Sequence, residues 1–181
     1  MKHLVEPIRD KKQVHAVEEY LSKKNKRNQL IFVLGINSGL RISDILNLNV
    51  GDVRNKSHIE LHEKKTKKYK KFPINNKLKN LIKEFIKGRT DNEPLFLSQK
   101  KYRLDRSQAY RMLNEACTAV GITANIGSHS LRKTFGFHHY KQFKDVAMLQ
   151  TIFNHATPTV TLRYIGISQD QIDNSYRQFE L

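Results

Sequence analysis

Apolar residues recur at helical spacing along most of this chain, which restricts it to a mainly α-helical fold. In residues 11–24, Val14, Val17 and Leu21 fall on one helical face. The next segment, QLIFVLGINSGL, is apolar enough for a buried helix that ends at Gly39. Helical patterns continue in RISDILNL, NKLKNLIKEFIKG, LDRSQAYRMLNEACTAVG, SHSLRKTFGFHHYKQF, DVAMLQTIF and DQIDNSYRQF. The pattern predicts a helical bundle.

One stretch in the middle of the chain breaks this pattern. HIEL at residues 58–61 is strand-like, the lysine-loaded EKKTKKYKK follows, and FPIN comes next. Pro73 suits an edge strand or the end of a strand. These segments predict a β-hairpin with a charged tip. The predicted fold class is therefore α+β, mainly α-helical, with a small antiparallel β insertion in a helical bundle.

The length of the chain and the absence of linkers predict a single domain over residues 1–181. The sequence contains no internal repeat, no low-complexity tract and no stretch rich in Pro, Gly and Ser. Its only cysteine, Cys117, cannot form an internal disulfide or a Cys-rich zinc site, and we expect it to be a small core residue on a helix. No pair of histidines has HExxH spacing, so no metal site is predicted.

The charge of the chain predicts a polyanionic partner. Lysine and arginine number 33 against 17 acidic residues, which gives a net charge of +16 and a pI near 10.0. Solubility alone is the alternative explanation for this excess. Nucleic acid is favoured over a membrane, because the sequence has no signal peptide, lipidation signal or long apolar run. We expect a cytosolic, soluble protein whose partner is nucleic acid.

Side chains suited to phosphoryl transfer occur in five separate places: Arg41, Lys65, His129 with Arg132, His155, and Tyr164. Two guanidinium groups from different elements can stabilise the charge that develops on a phosphate in the transition state. A tyrosine hydroxyl, with an ordinary pKa of about 10, needs a base or a cationic environment to attack at neutral pH. A lysine beside the phosphate can protonate the departing deoxyribose oxygen.

In this order, the set resembles the catalytic constellation of the tyrosine recombinases, the phage integrase family. GLRISDIL resembles the box around the first arginine, with Asp44 at the position of a supporting acid. EKKTKKYKKFPI resembles the β-hairpin, in which Lys65 before Thr66 takes the position of the catalytic lysine. HSLRKTFG resembles the second box, and LQTIFNHATPTVTLRYIGI resembles the last, with nine residues from His155 to Tyr164. The matching segments run from about Arg41 to Tyr164.

The resemblance implies a site-specific recombinase with the catalytic-domain fold of that family. Tyr164 would attack DNA to give a 3′-phosphotyrosyl intermediate and a free 5′-hydroxyl. The other implied roles are phosphate binding by Arg41, Arg132 and His155, protonation of the leaving oxygen by Lys65, general base or acid catalysis by His129, and support of Arg41 by Asp44. The covalent bond would retain the energy of the phosphodiester, so no ATP is implied, and the arginines would take the place of a divalent metal. No other cofactor is implied, and the resemblance implies a location on DNA in the cytoplasm of a bacterium or a phage-infected host.

The resemblance also implies partners. Double-stranded DNA is the expected substrate, contacted by the other hairpin lysines: Lys64, Lys67, Lys68, Lys70 and Lys71. A homo-oligomer, a tetramer on DNA, is expected. Members of the family commonly carry a separate N-terminal core-binding domain that clamps DNA. Only 40 residues precede Arg41 here and they resemble the first helices of the catalytic domain, so no such domain is expected and an accessory DNA-binding protein could replace it.

Several positions leave alternatives open. The family usually has Leu-Gly before the histidine of the last box, where this chain has Phe153 and Asn154; asparagine best tolerates a left-handed backbone in place of glycine. A slip of one residue in the hairpin would turn a different lysine inward than Lys65. Tyr176 competes with Tyr164 as the nucleophile. The final helix, with Ile172 and Phe179, could pack on its own domain or on a neighbouring protomer.

Three other functions compete with recombination. Asp52, Glu63 and Lys65 mimic the pattern of a metal-dependent PD(D/E)xK nuclease, although this interpretation leaves the arginines, histidines and Tyr164 unexplained. A non-catalytic DNA-binding regulator on a recombinase fold is a second alternative. A topoisomerase-like activity, which uses the same chemistry without exchange of partners, is the third.

Overall fold

Helices make up most of the described structure, as the sequence predicts. The computed structural model describes residues 5–167, 173–174 and 176–180. The helices are α1 (Lys11–Lys24), α2 (Lys26–Ser38), α3 (Ile42–Ile45), α4 (Asn76–Phe85), α5 (Arg106–Ala119), α6 (Ser130–Phe143), α7 (Val146–Phe153) and α8 (Pro158–Ile165). The strands are β1 (His58–His62) and β2 (Tyr69–Pro73), and a short 3₁₀ turn spans Val50–Asp52.

Local signals in the sequence set several helix ends. Asp105 and Gln108 form the capping box that opens α5, with the Asp105 carboxylate accepting from the Gln108 backbone N–H at 2.8 Å. Helix α2 ends at Gly39, whose φ of 63° is the left-handed conformation that glycine adopts without strain. Asn154 ends α7 with φ 53° and ψ 43°, so asparagine does adopt the left-handed turn at this position.

The main core surrounds α2, which contacts α1, α4, α5 and α6. The run from Leu30 to Leu34 is buried on every side of the helix. A helix that is apolar all round needs neighbours on all faces, and this requirement places α2 at the centre. Cys117 lies in the same core on α5, as expected.

The two strands form the predicted antiparallel hairpin. Ile59 pairs with Phe72, and Leu61 pairs with Lys70, which gives these four side chains the same face of the hairpin. Burial alternates along β2, with Lys70 and Phe72 less exposed than their neighbours in the strand. The inner face therefore packs on the domain and the outer face meets solvent.

A second core cluster joins α6, α7 and α8. Its buried side chains include Phe137, Leu149, Phe153 and Ile165. Gly136 permits this approach, since a Cβ atom at that position would lie 2.7 Å from both Phe153 and Ile165. The cluster supports the segment that carries His155 and Tyr164.

The end of the chain is described only in part. Residues 173–174 and 176–178 are helical, and Ile172 lies outside the described residues. Phe179 is exposed, with 69% of its surface accessible. None of the helices in the described ranges is long and apolar enough to cross a membrane.

Candidate active site

Arg41 is held at the start of α3, directly after the turn at Gly39 and Leu40. Its Nη1 atom lies 2.8 Å from Oε1 of Glu63, and its side chain is 18% exposed. The guanidinium group therefore has one buried carboxylate behind it and retains a solvent-facing edge.

A polar cavity of about 540 Å³ opens beside Arg41. Its polar and charged lining comprises Arg41, Ser43, Lys64, Lys65, Arg106, Ser128 and His129. These side chains come from α3, the hairpin tip, the start of α5 and the loop before α6. Four of them are lysines or arginines, and none is a carboxylate. The cavity is suited to an anion such as a phosphodiester.

Arg132 lies deeper than Arg41 and is almost fully buried, with 2% exposure. Its Nη1 donates to the carbonyl of Gly39 at 2.6 Å, and its Nη2 donates to that of Phe153 at 2.8 Å. The guanidinium carbon also lies 4.4 Å from the centroid of the Phe153 ring. Arginine has five N–H donors, so these two bonds fix the group and leave others for a ligand.

Tyr164, on α8, contacts His129 directly. The Tyr164 hydroxyl lies 3.2 Å from Nδ1 of His129, which precedes the first residue of α6. Burial raises the pKa of the Tyr164 hydroxyl, while Arg132 and Arg41 act in the opposite direction. Burial and the nearby Arg132 lower the pKa of His129, which keeps its imidazole neutral at neutral pH. A neutral imidazole at this distance can accept the hydroxyl proton.

His155 follows the left-handed residue Asn154 and lies against the same tyrosine. Its ring centroid is 5.1 Å from that of Tyr164, and its Nδ1 lies 3.1 Å from the hydroxyl of Thr161. Burial, together with Arg132 and Arg41, lowers the pKa of His155 to about 4. At neutral pH the His155 imidazole is therefore uncharged and can still form a hydrogen bond.

Two hairpin lysines have different environments. Lys65 is exposed and lines the cavity with Arg41 and His129, where a proton donor for a leaving oxygen would lie. Lys70 points inward from β2 and donates to the carbonyl of Ile152. Burial and the neighbouring Arg132 lower the pKa of Lys70 to about 8.

Lys70 is one of the lysines that we expected to contact DNA, and in the structure it faces the domain. Its side chain is 11% exposed, and the alternation of β2 explains why it faces the domain. The other expected DNA-binding lysines, Lys64, Lys67, Lys68 and Lys71, are all exposed. Lys71 also forms an ion pair with Glu60 at 2.9 Å.

Asp44 has a different partner from the one that the resemblance implies. Its Oδ1 accepts from the backbone N–H of Lys64 at 2.9 Å, so it fastens the hairpin tip to α3. Among the described residues, the ion pair of Arg41 is with Glu63. Asp44 thus acts on the lysine-bearing hairpin, and Glu63 is the carboxylate in contact with the arginine.

Three side chains at the site were not assigned to this family's site from the sequence, namely Glu63, Arg106 and Lys133, and Lys70 was expected there only as a DNA contact. Lys133 is nearly buried, and its ammonium lies 5.1 Å from the centroid of the Tyr164 ring. The inward positions of Glu63 and Lys70 could have been inferred from the two-residue alternation with Ile59 and Phe72. No sequence signal distinguishes Arg106 from other surface arginines.

The geometry gives little support to the nuclease alternative. Asp52 uses its carboxylate to accept from the backbone N–H of Asn49 at 2.8 Å. Glu63 is surrounded by cations, which would repel a metal ion. Over the described ranges, no group of three His, Cys, Asp or Glu residues could hold a metal. Tyr176, the competing nucleophile, is 80% exposed. Tyr164, in contrast, packs against the core cluster that joins α6, α7 and α8.

Comparison with known proteins identifies the family. The model of the phage integrase family matches residues 9–170. The probable integrase/recombinase YoeC of Bacillus subtilis (strain 168) is 49% identical over 178 residues, which cover 98% of each chain. The tyrosine recombinase XerC of Thermodesulfovibrio yellowstonii is 26% identical over 161 residues, covering 83% of this chain. This chain spans only 54% of the length of that XerC.

Solved structures show the same fold. The crystal structure of XerA recombinase matches with a TM-score of 0.77 and 22% identity, over 98% of this chain and 64% of that one. A lambda integrase tetramer bound to a Holliday junction matches with a TM-score of 0.72 and 14% identity, over 91% of this chain and 49% of that one. The predicted fold class is confirmed. The family match and the near full-length similarity to YoeC show that this chain belongs to the phage integrase family, the tyrosine recombinases.

Proposed function

We propose that this chain is a site-specific DNA recombinase that cleaves and rejoins DNA through a 3′-phosphotyrosyl intermediate. The observation that carries the proposal is the contact between Tyr164 and His129 beside a cavity lined by Arg41 and Lys65. This arrangement supports the proposal because a hydroxyl, an imidazole, a guanidinium and an ammonium group lie around one anion-sized cavity. A protein that only binds DNA has no need for this combination.

In the cleavage step, the Tyr164 oxygen attacks the scissile phosphorus while His129 accepts the hydroxyl proton. The bond from phosphorus to the 5′-oxygen breaks, and Lys65 protonates that oxygen. Arg41 and Arg132 stabilise the charge on the non-bridging oxygens, and His155 adds a hydrogen bond. Attack by a 5′-hydroxyl from another strand reverses these steps and releases Tyr164.

None of these steps uses ATP or a cofactor. The phosphotyrosyl bond keeps the energy of the phosphodiester, and guanidinium groups supply the positive charge that a metal would otherwise provide. Arg132 suits this role because the carbonyls of Gly39 and Phe153 fix it before DNA arrives.

The surface around the cavity supports double-stranded DNA as the substrate. Lys64 lines the cavity beside Lys65, and Lys67 and Lys68 are exposed on the same hairpin tip. Phosphate contacts of this kind provide affinity without sequence specificity. We further propose that the chain acts on DNA in the cytoplasm as a homo-oligomer, and as a tetramer when two duplexes exchange strands.

Trapping of the covalent intermediate tests the proposal. The protein would be incubated in EDTA with nicked DNA fragments prepared from its own replicon, because loss of a short strand at a nick prevents rejoining. After denaturation, we expect a protein–DNA adduct that is absent from Tyr164→Phe and retained in Tyr176→Phe. An adduct lost from Tyr176→Phe instead would overturn the assignment of the nucleophile.

The same assay separates the recombinase from its alternatives. Cleavage that EDTA abolishes would indicate a metal-dependent nuclease. A non-catalytic DNA-binding regulator would form no adduct, and its Tyr164→Phe variant would bind DNA as tightly as the wild type. Relaxation of supercoiled DNA without strand exchange would indicate the topoisomerase-like activity.

A sulfur substitution tests the role of Lys65. When sulfur replaces the leaving 5′-oxygen, departure no longer requires a proton donor, because a thiolate is a much better leaving group. Lys65→Ala should therefore cleave the ordinary substrate slowly and the sulfur substrate at nearly the wild-type rate. Lys68→Ala, on the same hairpin tip, should show no such difference between the two substrates.

A further inference from the structure

A buried carboxylate lies beneath the candidate active site, where three cations converge. The Glu63 side chain has 0% exposure. Its Oε1 is 2.8 Å from Nη1 of Arg41 and 3.8 Å from both Nζ of Lys70 and Nη1 of Arg132. The catalytic scheme above leaves this group without a role.

The hairpin turn fixes Glu63 in place. Its Oε2 accepts from the Thr66 hydroxyl at 2.5 Å. Its backbone N–H donates to the carbonyl of Lys68 at 3.0 Å, and its carbonyl accepts from the N–H of Lys67 at 2.9 Å. Burial opposes ionisation of Glu63, but Thr66, Arg41 and Lys70 outweigh it and hold the pKa of the carboxyl below its ordinary value. Glu63 is therefore a fixed negative charge at neutral pH.

Its negative charge has a clear electrostatic effect. Arg41, Arg132 and Lys70 come from three separate elements, and like charges this close in a poorly solvated region repel one another. Glu63 is near enough to all three to offset that repulsion. Glu63 Oε1 lies within ion-pair distance of Arg41, but within the described residues it makes no well-aligned hydrogen bond. The attraction between Glu63 and Arg41 is therefore mainly electrostatic.

Glu63 lies behind Arg41 and does not line the cavity. Arg41 faces the cavity and keeps part of its side chain exposed, whereas Glu63 is completely enclosed. A phosphate in the cavity would meet Arg41 from the side opposite Glu63. This arrangement favours support of the arginine over competition with the phosphate.

We propose that Glu63 is a positioning residue whose negative charge holds Arg41 and Arg132 at the spacing needed to receive the scissile phosphate. The inference rests on the proposed recombinase function. It assigns Glu63 the role that the resemblance gives to Asp44, which here holds the backbone of Lys64.

The proposal predicts opposite effects on DNA binding and on cleavage. Glu63→Gln keeps the size of the side chain and can still accept from Thr66, but it removes the negative charge. The site then becomes more positive, so affinity for DNA should stay equal or increase. The arginines lose their common counter-ion, and displacement by about 1 Å is enough to slow cleavage roughly 100-fold.

The cleavage rate is measured in single-turnover reactions on a nicked duplex. The sequence of this duplex is taken from the DNA that the wild-type protein traps as an adduct. Fluorescence anisotropy with a non-specific duplex measures binding without any need for cleavage. Glu60→Gln is the matched control, since Glu60 lies on β1 and pairs with Lys71 at the surface. Because Glu60→Gln also removes one negative charge, its DNA affinity should likewise stay equal or increase, but its cleavage rate should stay at the wild-type value. Cleavage by Glu63→Gln at the wild-type rate or faster would overturn the proposal, and so would a parallel loss of binding and cleavage.

A second readout does not depend on catalysis. Glu63 is one of the charges that face Lys70, together with Arg132, Arg41 and Asp44, and it raises the pKa of that lysine. In ¹³C-labelled protein, the NMR-detected pKa of Lys70 should fall in Glu63→Gln and stay unchanged in Glu60→Gln. An unchanged value in Glu63→Gln would refute the charge contact even if the wild type formed no adduct. Failure of the recombinase proposal and failure of this inference are thus distinguishable.

If Glu63→Gln does not fold, Thr66→Val tests the placement of the Glu63 charge instead of its presence. It keeps the carboxylate but removes the hydroxyl that fixes Oε2. We expect cleavage slower than wild type with DNA affinity retained. Wild-type cleavage by Thr66→Val would count against a positioned Glu63.

Discussion

Gly136→Ala should weaken the fold and the site together, because Gly136 sets the distance between α6 and the pair α7–α8. A Cβ atom at residue 136 would meet Phe153 and Ile165 at 2.7 Å. Carbon atoms pack at about 3.5–4.0 Å, so the helices must separate locally by about 1 Å. Phe153 cannot easily yield, since its ring packs against the guanidinium of Arg132 and against the Tyr164 ring.

The expected magnitudes follow from two opposing effects. Overpacking of a core costs about 1–3 kcal/mol, whereas alanine in the middle of a helix is better than glycine by about 0.5–1 kcal/mol. The midpoints of these ranges give a net destabilisation of about 1 kcal/mol. For a chain of this size each kcal/mol lowers Tm by about 2–4 °C. A shift of about 1 Å between Arg132 and Tyr164 should also slow cleavage roughly 100-fold.

Thermal unfolding and single-turnover cleavage check both effects. Gln142→Ala, at an exposed position on the same helix, is the control and should change neither by much. A Gly136→Ala protein that is as stable as wild type would refute the packing argument. A destabilised protein with wild-type cleavage would show that the spacing of these helices does not control the site.

Two further predictions concern pH and salt. The folded-state pKa of His155 is lowered to about 4 from an ordinary value of 6.5, so the unfolded chain binds more protons between these values. His155 thus contributes stability that is present above about pH 6.5 and is lost as the pH falls toward 4. His155→Gln should therefore flatten the dependence of Tm on pH in that window. An unchanged slope of Tm against pH would contradict the burial of His155. Combined replacement of Lys64, Lys67 and Lys68 by alanine should reduce the slope of log Kd against log salt by roughly 2.7 if each contacts one phosphate, as anisotropy titrations can measure. An unchanged slope would exclude the hairpin tip from the DNA interface.

Patterns that depend on near neighbours were readable from the sequence. The helical spacing, the capping box at Asp105 and Gln108, and the stop at Gly39 are local, and each is present in the structure. The family boxes were also readable, because each combines a candidate catalytic side chain with the local turn or helix that presents it. Asn154 in the left-handed conformation is one such local feature.

The sequence alone could not resolve which charged side chains meet. Six lysines lie between residues 64 and 71, and although alternation with Phe72 indicates that Lys70 faces inward, it does not indicate which groups each lysine meets. Pairing of β1 with β2, and docking of the hairpin on the domain, turn Lys70 toward Ile152 and leave Lys65 at the cavity.

The sequence by itself determined the mainly helical fold, the lysine hairpin and the order of the candidate catalytic groups, because these depend on periodicity and short-range spacing. Only the tertiary structure decided that Glu63 lies under Arg41, that Asp44 holds the hairpin, and that Tyr164 meets His129. These contacts join residues that are 20 or more positions apart. Their formation depends on how complete elements pack, and the free energy of such packing is shared among many side chains rather than encoded in a local motif.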